Sequence, residues 1–115
     1  MSKDKDKIIR GSGNIYKDLG HPNAEEMQAK AILASRIMSI IEKNKWTQKK
    51  AAEMLGLTQP KISLLSRGQF SSFSIGKLIN LLNKLNQDIE IVIKGKPAAL
   101  KGKHVGHVSV FYVAA

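Results

Sequence analysis

The stretch from Gln48 to Gly68 constrains the chain most. Two short segments with the apolar spacing of helices meet at a glycine, and a threonine precedes each. Thr47 opens the first, which is expected to run to about Leu55 and to stop at Gly56. Thr58 opens the second, which is expected to end near Arg67, with Gly68 taking a left-handed conformation. Threonine suits the first position because its hydroxyl accepts from a backbone N–H that has no partner inside the helix. Glycine suits the last because a left-handed residue with no Cβ meets no steric penalty. Pro60 falls in the first turn of the second segment, where a missing N–H costs little. Ala52 is small where another helix must approach, and Leu55, Leu57, Ile62 and Leu65 are placed to bury beneath both segments.

Two helices of this length around a glycine turn have helix-turn-helix spacing. The second helix of such a unit points outward. Its outward positions here are Gln59, Lys61, Ser63 and Arg67, with Leu64 at the margin. Amides, hydroxyls and cations are the groups that base edges and phosphates require. A glutamine presents a donor and an acceptor together, as adenine N6 and N7 demand. Helix N-termini aim free N–H groups at phosphate, which adds a backbone role to Thr47 and Thr58. Lys45, Lys49, Lys50, Lys61 and Arg67 would supply most of the salt-sensitive attraction. Neutralising about five phosphates gives a log–log salt slope of roughly −4 to −5 per protomer. The rival is an ordinary helical hairpin with no such role, which the polar and basic outward residues disfavour.

The whole chain agrees with a phosphate-bearing partner: 19 Lys and Arg face 9 Asp and Glu, a formal charge of +10. Its 115 residues suit one domain plus tails. Residues 1–13 are polar, interleave Lys with Asp, and are expected to form a flexible arm. Residues 14–94 are expected to hold the domain, with Tyr16 and Leu19 folding back onto it and His21-Pro22 interrupting the chain. Asn23 is the expected N-cap of a long helix, with Glu25 and Glu26 in a first turn that favours negative charge. Met27, Ala31, Ala34, Met38 and Ile41, widened by Ile37 and Ile40, make its apolar stripe. Trp46 is expected to pack beside the next helix start rather than stack on a base. Ser74 opens a fourth helix with Ile75, Leu78, Ile79, Leu82 and Leu85 on one face.

The period changes at Asp88. Ile89, Ile91 and Ile93 alternate with Glu90 and Val92, which predicts a strand. Such a strand needs a partner. The same strand of a second subunit is favoured, and Val108–Val113 of the same chain, which either pairs or frays, is the rival. Residues 95–115 form a basic tail, broken by glycines and Pro97. The fold class that results is mainly α: a four- to five-helix bundle with a helix-turn-helix, plus a short C-terminal β-strand.

Several functions find no support. The chain has no cysteine, so it offers no disulfide, thiol nucleophile or cysteine-ligated metal. His104 and His107 stand three apart with no acid nearby, and no metal site or cofactor is expected. No phosphate-binding glycine loop and no catalytic Ser/His/Asp arrangement is visible, so no catalytic residue is assigned and the protein is not expected to be an enzyme. Adjacent Glu25 and Glu26 diverge by about 100° on a helix and do not share a site. No apolar run nears the roughly 20 residues needed to cross a bilayer. The N-terminus lacks the apolar centre of a secretory signal, so the expected location is the cytoplasm.

Gln48, Ala52, Leu55-Gly56, Gln59, Ile62-Ser63 and Gly68 together make the chain resemble the Cro/repressor (XRE) helix-turn-helix superfamily, whose fold is that of lambda repressor. The likeness is strongest over Lys45–Gly68 and extends through Gly13–Gly20, Phe73-Ser74 and Leu81–Ile91. Within the superfamily the chain looks most like HigA-type antitoxin regulators. The resemblance implies sequence-specific binding of double-stranded DNA by a homodimer that represses transcription. For the antitoxin subgroup it also implies neutralisation of a small cognate toxin, often an RNase, with autoregulation of the operon. It implies phosphate contact by Gln48, backbone and base contact by Thr58 and Gln59, and contacts from Lys61, Ser63 and Arg67, with Lys49 nearby. Pro60 stands where some relatives carry a second base-reading glutamine. Leu64 replaces a residue that is polar in some relatives, and either touches a thymine methyl or packs. The base sequence therefore cannot be borrowed from a relative. The basic tail is read as a solvated end, a clamp on flanking phosphate, or a segment that orders on a toxin.

Overall fold

The computed structural model describes residues 8–10, 23–95 and 106–113. Its elements are β1 (Ile8–Arg10), α1 (Ala24–Lys43), α2 (Gln48–Leu55), α3 (Gln59–Ser66), α4 (Ile75–Lys84) and β2 (Phe111–Val113). The described residues are mainly α, with four helices and a short C-terminal strand, as expected from the sequence.

The helices start where cap residues stand. Thr47, Thr58 and Ser74 accept with their hydroxyl oxygens from the backbone N–H of Lys50, Lys61 and Lys77, at 3.1, 3.4 and 2.9 Å. Each bond satisfies one of the N–H groups that a helix start leaves open. Asn23 precedes α1 as expected, but its side chain makes no capping bond; its carbonyl accepts from Met27 N–H at 2.9 Å.

All four helices end in one way. A backbone N–H reaches back five residues: Trp46 to the carbonyl of Ile41, Leu57 to Ala52, Gln69 to Leu64 and Gln87 to Leu82, at 2.8–3.2 Å. Such a closure requires a left-handed residue just before the donor. Those residues are Lys45 (φ 56°), Gly56 (φ 66°), Gly68 (φ 72°) and Asn86 (φ 61°). The two glycines were legible in the sequence. Lys45 and Asn86 were not singled out: both are exposed, a lysine gives no local sign of a left-handed turn, and an asparagine, which tolerates that conformation, is as common elsewhere.

The core draws on every helix. The largest fully buried side chains are Ile37 of α1, Leu55 of α2, Ile62 of α3, and Leu78, Leu81 and Leu82 of α4. Each contributes about 1.5–3 kcal/mol of hydrophobic burial. In α1 the buried line runs through Ala29, Leu33, Ala34, Ile37 and Ile41. Met27, Ala31 and Met38 of the expected stripe are only half-buried at its edge. The apolar arc is wide; α1 packs against α4, and Leu33 and Ile37 are among the residues it buries. Trp46 packs against the core as expected. Phe70 and Phe73, in the loop before α4, are buried as well.

The β-structure departs from expectation. Residues 87–95 carry no regular secondary structure, so the strand predicted at Asp88–Ile93 is absent. A strand exists only with a ladder partner, and the described residues supply none to this segment. The C-terminal strand is β2, and its antiparallel partner is β1, pairing Ile8 with Val113, Ile9 with Tyr112 and Arg10 with Phe111. Residues 8–10, placed in a flexible arm by the sequence, are therefore ladder residues. The C-terminal segment lies against α1: His107 Nδ1 is 2.9 Å from Glu25 Oε2, and the Arg36 guanidinium sits 5.1 Å from the centre of the ring of Tyr112 in β2. The expected packing of Tyr16 and Leu19, the interruption at His21-Pro22 and the tail segment with His104 lie outside the described residues.

Candidate nucleic-acid interface

The short helix α3 has two unlike sides because its sequence alternates them. Ile62 and Leu65 are buried, which fixes the helix against the core, while Gln59, Pro60, Lys61 and Arg67 are exposed. Ser63 and Leu64 are half-buried between these sides. Leu64 packs against the core, so of its two readings packing is the one the contacts describe. Pro60 is the second residue of α3, and Thr58 satisfies the next N–H, that of Lys61. The first turn of α3 thus presents an amide, a ring with no donor, and an ammonium on a capped helix start.

Lys61 has a support that the sequence did not reveal. Its ammonium lies 5.4 Å from the centre of the Phe73 ring, whose body is buried in the loop before α4. A cation over an aromatic face is held electrostatically while remaining exposed. A hint existed in the sequence: Phe70 and Phe73 stand in an otherwise small and polar loop. Arg67 is exposed too, but its Nε donates to the Ser63 carbonyl at 3.3 Å. Its guanidinium therefore closes the last turn of α3 and must leave that bond, or share it, to reach a phosphate.

The first helix of the pair carries the remaining positions. Gln48 and Lys49 open α2 and are exposed, as are Lys45 and Lys50. Between Lys45 and Gly68 the chain carries five cations and one acid, Glu53. Helix α2 packs on α3 through Ala51, Ala52 and Leu55, all buried. Ala52, expected where another helix approaches, is buried in α2. The turn between the helices is closed by Gly56 and by a bond that spans the domain, from Lys84 Nζ of α4 to the Leu55 carbonyl at 3.1 Å. Among the described residues no group of three or more His, Cys, Asp or Glu gathers as a metal site would need. None of the described helices is long and apolar enough to cross a membrane.

A family model described as "Helix-turn-helix domain" (HTH_37) matches residues 15–94. A solved structure described as an XRE family transcriptional regulator is 39% identical to the chain. It superposes with a TM-score of 0.64, over 77% of this chain and all of that one. No curated protein matches. The two-helix unit from Gln48 to Ser66, its capped outward helix and these two likenesses agree: the chain belongs to the helix-turn-helix domain family and is of the XRE type.

Proposed function

We propose that this protein is a DNA-binding transcriptional regulator, acting as a homodimeric repressor that occupies a promoter. One observation carries the reading: the first turn of α3 exposes Gln59, Pro60 and Lys61 while Ile62 and Leu65 lock the same helix into the core. A rigid helix with a polar start is what a major groove of double-stranded DNA accepts. In this reading Gln59 pairs with the N6 and N7 of an adenine, and the capped N-termini of α2 and α3 meet phosphates beside Gln48 and Thr58. Lys45, Lys49, Lys50 and Lys61 neutralise further phosphates, and Arg67 joins them at the far end of α3. Ser63 and Leu64 line the margin. One recognition helix reads too few base pairs for useful specificity, so two copies bind half-sites about one helical turn apart.

The test is a titration of duplexes selected from a random pool, read by fluorescence anisotropy. An inverted repeat is the expected product of the selection. The double variant Gln59→Ala/Lys61→Ala should lose the selected site yet keep the helical circular dichroism signal. Undiminished specific affinity in that variant would overturn the proposal.

The resemblance of the sequence to HigA-type antitoxin regulators, strongest over Lys45–Gly68 and extending through Gly13–Gly20, Phe73-Ser74 and Leu81–Ile91, supports a second, compatible role: neutralising a small toxin, with DNA binding as autoregulation. Co-expression with the product of a short neighbouring reading frame tests it. Relief of growth arrest supports the role, and persistent arrest with both proteins present counts against it.

A further inference from the structure

Residues 91–93 form an exposed apolar run. Ile91, Val92 and Ile93 are 78%, 72% and 93% exposed. All three are β-branched, the side chains that fit a pleated ladder best. Among the described residues no backbone hydrogen bond involves 88–95 and no strand lies beside the segment, so nothing described there satisfies its N–H and C=O groups. Its start is fixed: Gln87 closes α4, and Ile89 packs against the core.

We propose that this segment is the homodimer interface, an antiparallel strand pair with its two-fold axis at Val92. The inference rests on the dimer reading above and deepens it with a register. With the axis at Val92, Val92 meets itself, Ile91 meets Ile93 of the second copy, and Glu90 meets Lys94. Opposed residues of an antiparallel pair share a face. One face then carries the isoleucines, continuing from Ile89 at the core. The other carries Glu90, Val92 and Lys94, with each carboxylate opposite an ammonium.

Neighbouring registers are poorer. An axis at Ile91 sets Glu90 against Val92 and asks Ile93 to meet an Ile89 that its own core holds. An axis at Glu90 or Lys94 sets like charges opposite each other, which destabilises. A one-residue slip puts isoleucine on the charged face. Charge also argues for this particular patch. Two chains of +10 repel each other, and Glu90 against Lys94 makes the contact locally neutral.

The test uses the full chain, with light scattering across a dilution series and oxidation of single-cysteine variants. The natural sequence has no cysteine, so Val92→Cys introduces the sole thiol. Directly opposed strand residues lie within disulfide reach, and Val92→Cys should oxidise to a covalent dimer. Ile91→Cys should do so several-fold more slowly. Glu90→Lys should weaken dimerisation by about tenfold, and Glu90→Lys/Lys94→Glu should restore most of the loss.

Faster cross-linking of Ile91→Cys overturns the register. A dimeric wild type in which Val92→Cys stays uncross-linked and Glu90→Lys changes nothing overturns the interface, yet leaves the dimeric repressor standing. A wild type that is monomeric both free and on a selected duplex overturns the dimer reading itself. A Glu90→Lys variant that remains a full dimer but no longer binds a co-expressed toxin assigns the segment to that partner and also overturns the proposal.

Discussion

The Lys84 ammonium donates a hydrogen bond to the Leu55 carbonyl oxygen across 3.1 Å, joining α4 to the last turn of α2. The carbonyls that end a helix carry partial negative charge, so a cation is well placed there. The contact lies next to Gly56, the left-handed residue that lets α2 end and α3 begin. The turn that orients the outward helix is therefore held from behind by a residue 29 positions away in the chain.

Replacing that cation tests the brace. Lys84→Met keeps most of the aliphatic stem and removes the donor. The expected loss is about 1 kcal/mol, a modest value because water can reach the freed carbonyl. Urea unfolding read by circular dichroism measures it. No change in midpoint would show that water replaces Lys84 without cost.

Gly56→Ala tests the turn itself. The added Cβ would sit 3.2 Å from Lys84 Nζ at a φ of +66°. The ammonium can move aside, so most of the destabilisation comes from backbone strain, at roughly 1–2 kcal/mol. The same substitution at Gly68 has the same φ problem, at +72°, but meets no atom within 4 Å. Thermal melts of the two variants should therefore rank Gly56→Ala as the less stable.

The helical part of the fold was legible because its signals are local. Thr47, Thr58 and Ser74 announce helix starts within three residues, and Gly56 and Gly68 announce ends. The face of α3 was legible too, since Ile62 and Leu65 fix which side is hidden. The strand was misplaced for the opposite reason. Alternation at Ile89–Ile93 states what a segment could become with a partner, and the partner is a non-local fact. Pairing of Ile8–Arg10 with Phe111–Val113 joins the two ends of the chain, and no local pattern encodes it. The supports of the interface were hidden likewise: Phe73 under Lys61 and Lys84 behind Leu55 act across space from residues that read as core and surface.

Lys30 is another such residue. A lysine in the middle of a helix reads as solvent-facing, yet its side chain is 7% exposed. Its ammonium lies 3.1 Å from Glu26 Oε2 and donates to the Ser71 carbonyl at 3.0 Å. The bond ties α1 to the loop that carries Phe70 and Phe73. Lys30→Met should lose about 1–3 kcal/mol, because the Ser71 carbonyl and the Glu26 carboxylate both lose their donor. Glu26→Gln, on the exposed side of the pair, should lose less than about 1 kcal/mol. Equal losses in denaturant titrations would show that the carboxylate, not the loop carbonyl, is the partner that matters.

Lys61 separates support from recognition most cleanly, because two substitutions affect its two contacts differently. Lys61→Met removes the charge and keeps the stem over Phe73; Lys61→Arg keeps the charge and the stacking on the ring. Stability should fall by only about 0.5–1 kcal/mol in the methionine variant, the scale of an exposed cation over an aromatic face. DNA affinity should fall further at low salt, and the log–log salt slope should become shallower by about 0.9 if the ammonium meets one phosphate. The arginine variant should keep the slope. If Lys61 instead reads a base edge, the methionine variant should lose discrimination between the selected duplex and a random one, with little change in slope. Anisotropy titrations of both duplexes at several salt concentrations distinguish these outcomes. A methionine variant with wild-type affinity and slope on both duplexes would remove Lys61 from the interface.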